Sequence, residues 1–154
     1  MKNLKNIIFL FVFILVTSCG YTPLKNSEKI NFYINDLNFT GDRIINNYIV
    51  SKLKKYQNPG ENLNRYNIDV LSTYEKHVVN KNDKGDPKNY KIKVITTIKV
   101  ISEGSDMVNK IFHRNASLSA KNKKIEEKES EKQLKKDLAN LIAEDIIFFL
   151  ITNN

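Results

Sequence analysis

The chain has 154 residues, enough for one domain with a sizeable core and too few for two ordinary ones. Hydrophobic residues make up 41% and charged residues 27%, which excludes a collagen-like or wholly disordered chain, and the single cysteine excludes an internal disulfide framework or a cysteine-built zinc site. The net charge of +8 rests on 22 lysines and only three arginines; Lys, Asn and Ile abound as in an AT-rich genome, and scattered lysines without clustered Arg or interleaved aromatic platforms argue against a nucleic-acid surface.

Lys2 and Lys5 precede an unbroken apolar run at 7–16, and the small residues Thr17 and Ser18 follow. This is the layout of a signal peptide, and the run is too short for a membrane-spanning helix. The tetrad Val16-Thr17-Ser18-Cys19 resembles a bacterial lipobox. That resemblance implies a diacylglyceryl group on the Cys19 thiol, cleavage after Ser18 and acylation of the new amino terminus. Several acyl chains together give stable membrane anchoring, because one chain alone binds only marginally. Gly20 follows the cysteine where an Asp would resemble an inner-membrane retention signal, so outer-membrane sorting is expected.

Residues 1–18 are therefore read as a lipoprotein signal, 19–29 as a lipidated tether and 30–154 as a single α+β domain. Ile30, Phe32 and Ile34 alternate as in a strand, and Leu37 and Phe39 lie on the opposite parity, which predicts a bulge near Asn35 and Asp36. Gly41-Asp42 offers a turn and an N-cap ahead of Ile45, Ile49, Leu53 and Tyr56 at helical spacing, and Asn58-Pro59-Gly60 stops that helix. A second strand places Tyr66, Ile68, Val70, Ser72 and Tyr74 on one face. The polar stretch 76–89 contains a strong turn signal at 82–87.

The most regular alternation follows. Tyr90, Ile92, Val94, Thr96, Ile98 and Val100 share one face, and Lys91, Lys93, Ile95, Thr97, Lys99 and Ile101 the other. A turn through Gly104 leads to a fourth strand, about 106–118, so that strands two to four form an antiparallel meander; the alternation leaves its buried face undecided. Residues 119–133 are dominated by Lys and Glu and are expected to fray, after which Leu134, Leu138, Leu141, Ile142, Ile146 and Phe149 mark an amphipathic helix. The expected architecture is a four-stranded, mostly antiparallel sheet with two helices on one face, in the order β-α-β-β-β-α.

Catalytic and metal-binding chemistry has no candidate residues. His77 and His113 fall on different strands with no ligand-spaced acid nearby, residues 80–85 depart from a calcium loop at Lys84, and no nucleophile elbow or phosphate-binding glycine loop occurs. The expectation is a protein that is not an enzyme and needs no cofactor and no metal.

The opening Cys19-Gly20-Tyr21-Thr22-Pro23-Leu24 and the element order resemble the LPS-assembly lipoprotein (LptE) family, with its C-G-[FY]-x-P-L start. The resemblance implies a domain that sits as a plug inside a large outer-membrane β-barrel (LptD), assisting barrel assembly and lipopolysaccharide delivery to the surface. Its implied localisation is the outer membrane, on the periplasmic side or within the barrel lumen. Beside it, the second face of the third strand mixes cationic and apolar groups suited to a barrel wall or an amphiphile. Lys91, Lys93 and Lys99 are thus candidate lipopolysaccharide or barrel contacts, their stems lying along acyl chains and their ammonium groups on phosphates. An alternating lysine face also serves simply as the solvated side of a sheet. Two other readings stand: an auxiliary lipoprotein of a lipid-transport ABC system, and an envelope enzyme whose site would show as a deep pocket of convergent polar groups.

Overall fold

The computed structural model describes residues 30–60, 63–102 and 107–153; the signal, Cys19 and the tether lie outside the described residues. Strand β1 (Phe32–Gly41) buries Phe32 and Ile34, and a register shift between Ile34 and Asp36 then brings Leu37 and Phe39 onto the same core face. This is the bulge that the change of parity predicts. Gly41 takes φ +95°, where a side chain would run into the Ser72 carbonyl. The turn lets the Asp42 N–H donate to the Ser72 carbonyl at 2.8 Å. The Asp42 carboxylate then accepts from the N–H groups of Ile44 and Ile45 at 2.9 and 3.0 Å and starts helix α1 (Arg43–Leu53). Ile45, Ile49 and Leu53 are its buried stripe, and a short 3-10 turn at Lys54–Tyr56 ends it.

Three long strands follow: β2 (Asn64–Lys81), β3 (Pro87–Ser102) and β4 (Val108–Ser119). The sheet order is β1-β2-β3-β4, with β1 parallel to β2 and the other neighbours antiparallel. Helix α2 (Lys124–Thr152) closes the chain and packs on α1, β4 and β3, so both helices cover one face of an α+β sheet. Ile68 and Val70 of β2 and Ile92, Val94 and Ile98 of β3 meet Ala139, Ile142 and Ile146 of α2 in a core closed to solvent. Two polar residues on the inner face, Ser72 and Thr96, satisfy each other across the strands, their hydroxyl oxygens 3.1 Å apart. On β4, Phe112, Ala116 and Leu118 turn inward, which decides the face that its alternation left open.

Two segments are more ordered than their composition predicts. Most of the polar stretch 76–89 is strand, because β2 and β3 keep pairing until a five-residue connection at 82–86. There the Asn82 side chain accepts from the N–H groups of Lys84 and Asp86 at 3.0 and 2.8 Å. The Lys/Glu stretch expected to fray is helical from Lys124 onward, since its acids find partners distant in sequence. Lys76 donates to Glu127 at 2.9 Å and to Glu131 at 2.8 Å, and the Tyr74 hydroxyl donates to Glu131 at 2.7 Å.

Candidate binding face

The face of the sheet away from the helices carries the candidate lysines. Lys91, Lys93 and Lys99 project from β3 on this side, with Ile95, Thr97 and Ile101 between and beyond them. Register sets each lysine's neighbours: Lys91 lies between His77 and Ser117, Lys93 between Glu75 and Asn115, and Lys99 between Asp69 and Asn109. Lys93 and Lys99 thus each have an acid on the adjoining strand, although neither forms an ion pair among the described residues. At about 3.3 Å per residue, Lys91 and Lys93 lie roughly 7 Å apart, and Lys99 lies roughly 20 Å beyond Lys93. The three form one close pair and one distant cation, not a single focus.

Between those cations runs an apolar band. Leu71, Thr97 and Ile111 align across β2, β3 and β4, and Ile95 sits between Thr73 and His113 in the adjoining row. Leu71 is 47% and Ile111 62% exposed. Together they leave apolar surface in adjacent rows of an open sheet face. The β1 side is different. Asn35 donates to Asn67 at 2.9 Å, Asn38 donates to Asp69 at 3.0 Å, and Arg65 donates to Asn35 at 3.0 Å. These side chains are engaged with each other, which leaves the β3 and β4 side as the more apolar and cationic half.

The histidines lie on the same face but do not meet. His77 Nε2 lies 3.3 Å from Glu75 Oε2, because residues two apart on a strand share a face. No group of three His, Cys, Asp or Glu residues able to hold a metal converges among the described residues. A shallow recess at the β2–β3 turn, lined by Lys81, Asp83, Asp86 and Lys121, is open to solvent.

The strongest electrostatic cluster is on the helix side, and sequence reasoning missed it. Lys135, its side chain 11% exposed, reaches Asp42 at 3.1 Å and lies over the Tyr74 ring, 3.5 Å from its centroid. Burial pushes the Asp42 carboxyl up, but the Ile45 N–H and Lys135 outweigh it and hold the group below its ordinary range. Glu131 is likewise lowered, burial being overcome by Lys76 and Tyr74, and Glu127 is lowered chiefly by Lys76. Burial and Glu131 raise the Tyr74 phenol. The cluster ties the α1 cap, β2 and α2 together. Asp42 carried a sequence signal as an N-cap, but Lys135 is 93 positions from it and Glu131 is 57 from Tyr74, and no local pattern exposes these pairings.

No protein-family model matches this sequence, and no curated protein matches it. Solved structures do. The crystal structure of rare lipoprotein B from Shewanella oneidensis superposes with a TM-score of 0.60 at 9% identity, covering 77% of this chain and 96% of that one. A minor lipoprotein from Acinetobacter baumannii gives 0.57 at 14% identity over 79% and 94% of the two chains. The solution structure of an uncharacterized lipoprotein B from Nitrosomonas europaea gives 0.55 at 11% identity over 83% and 88%. This chain shares the fold of these bacterial lipoproteins over 88–96% of their lengths. No helix among the described residues is long and apolar enough to cross a membrane.

Proposed function

We propose that this protein is an outer-membrane lipoprotein, anchored through Cys19, that plugs and helps assemble a large LptD-like β-barrel for lipopolysaccharide delivery to the cell surface. One coincidence carries the reading: a lipobox-type signal stands directly ahead of a domain whose fold spans 96% of rare lipoprotein B. The role is one of binding and needs no catalytic group, cofactor or metal. The open face suits it, because Leu71, Ile95 and Ile111 supply apolar contact for a barrel wall or acyl chains. Lys91, Lys93 and Lys99 supply cations for phosphates at either end of the band.

The test is to purify the tagged, lipidated protein from envelopes in mild detergent and identify what comes with it. A large β-barrel in stoichiometric amount is the expected result. Recovery with an inner-membrane transporter, or alone, contradicts the proposal.

A further inference from the structure

The domain begins beside an apolar cleft. The tether joins at Ile30, and two residues later the Phe32 ring stacks on Tyr56 with centroids 5.5 Å apart. Tyr56 in turn lines a cleft of about 380 Å³ between the end of α1 and the last turns of α2, together with Ile147, Phe148 and Ile151. Phe148 is 64% exposed. Lys52 and Lys55 stand on the rim with Lys54 between them in sequence, and Glu144 is the single acid in the lining. Neither Lys52 nor Lys55 forms an ion pair among the described residues.

We infer that this cleft seats the anchor end of the domain on the anionic phospholipid surface of the membrane that holds Cys19; the inference rests on the anchoring step of the proposed function. Fully extended, the chain from Cys19 to Ile30 spans at most about 40 Å, so Ile30, two residues before the Phe32 ring that stacks on Tyr56, stays within that distance of the bilayer. An exposed Phe148 above half-buried Tyr56, Ile147 and Ile151, beside lysines on one rim, is the composition of an interfacial contact, in which a ring enters the headgroup layer and ammonium groups reach lipid phosphates. Charge decides between this occupant and two others. Residues 20–29 hold one acid, Glu28, beside Lys25 and Lys29, and offer nothing to match Lys52 and Lys55. A second copy would bring the same lysines against them.

The chain contains no tryptophan, so Phe148→Trp makes a single-indole reporter, with Ile125→Trp, 73% exposed near the far end of α2, as its control. Each full-length lipidated protein is placed in vesicles of brominated phosphatidylcholine with or without phosphatidylglycerol, after circular dichroism confirms the fold. The emission of the Phe148→Trp chain should fall by at least half when phosphatidylglycerol is present. Ile125→Trp should stay bright, and adding Lys52→Glu and Lys55→Glu to the reporter should restore its emission. Absence of quenching overturns the inference. So does an emission shift that ignores phosphatidylglycerol and disappears with Leu24→Ser, which would put the tether in the cleft, or one that follows protein concentration, which would put a second copy there. The intact mass separates the two levels: acyl chains present with any of these results leave the anchor standing, and acyl chains absent remove anchor and inference together.

Discussion

Successive residues of β3 live in two different environments. Ile92, Val94, Thr96 and Ile98 are 0% exposed beneath the helices, while Lys91, Lys93, Ile95, Thr97, Lys99 and Ile101 on the other face stay accessible. The backbone and its ladder are common to both, so the helices alone make the difference. On the covered face packing dictates the residue, and even its polar members answer each other across the strands. On the open face the fold requires less of each residue, and Ile95, Leu71 and Ile111 leave apolar surface there beside the lysines.

The sharpest way to break this contrast is to truncate one residue from each face. Ile98→Ala should cost about 2–5 kcal/mol, through lost transfer energy and the cavity left behind, and Ile95→Ala less than about 1 kcal/mol. Denaturant unfolding monitored by circular dichroism measures both. Equal losses would mean that the open face also carries the stability of the domain.

The helix-side cluster comes next in size. Asp42→Ala removes the α1 cap and leaves Lys135 largely enclosed without its carboxylate, and should cost about 2–3 kcal/mol in the same measurement. Asp42→Asn retains the cap acceptor and should cost less. The same groups make stability depend on acid. Folding depresses the carboxyls of Asp42, Glu127 and Glu131, so their contribution is complete above the unfolded values of 3.8 to 4.5 and is lost as pH falls through the lower folded ones. The urea midpoint should therefore hold steady from about pH 7 to 5 and decline below about 4.5, with a shallower decline in Glu131→Gln.

The smallest expected stability change belongs to the open face. Replacing Lys91, Lys93 and Lys99 together by Glu sets like charges opposite Asp69 and Glu75, a cost of about 1 kcal/mol or less at an exposed site. Lipopolysaccharide binding measured by sedimentation should nevertheless weaken by about tenfold at low salt. Unchanged affinity would return these lysines to the solvated side of a sheet.

Much of this fold was legible because period-two alternation and helical spacing are local signals. The β1 bulge appeared as a parity change, the α1 cap as Gly41-Asp42, and both faces of β3 could be assigned residue by residue. What stayed hidden depends on partners far along the chain. Nothing near Glu127 or Glu131 announces Lys76, so the first turns of α2 looked unsupported. The face of β4 stayed ambiguous because Lys110 and Arg114 occupy inward positions. Only the structure shows Arg114 turning to Asp145, its Nε 2.9 Å from Oδ2, and Lys110 lying 5.8 Å from the centre of the Phe149 ring. Of the candidate face, the lysines and isoleucines of β3 were readable, but not that Leu71 and Ile111 join them, because register between strands is a tertiary fact.

The central claim is that the open face meets an outer-membrane barrel, and position-specific photocrosslinking in the producing cell tests it most directly. A photoreactive residue at Ile111 should yield an adduct with a large β-barrel protein of the outer membrane, identified by mass spectrometry. An adduct with an inner-membrane transporter instead, or none at Ile111 while the protein is folded and lipidated, would contradict the account.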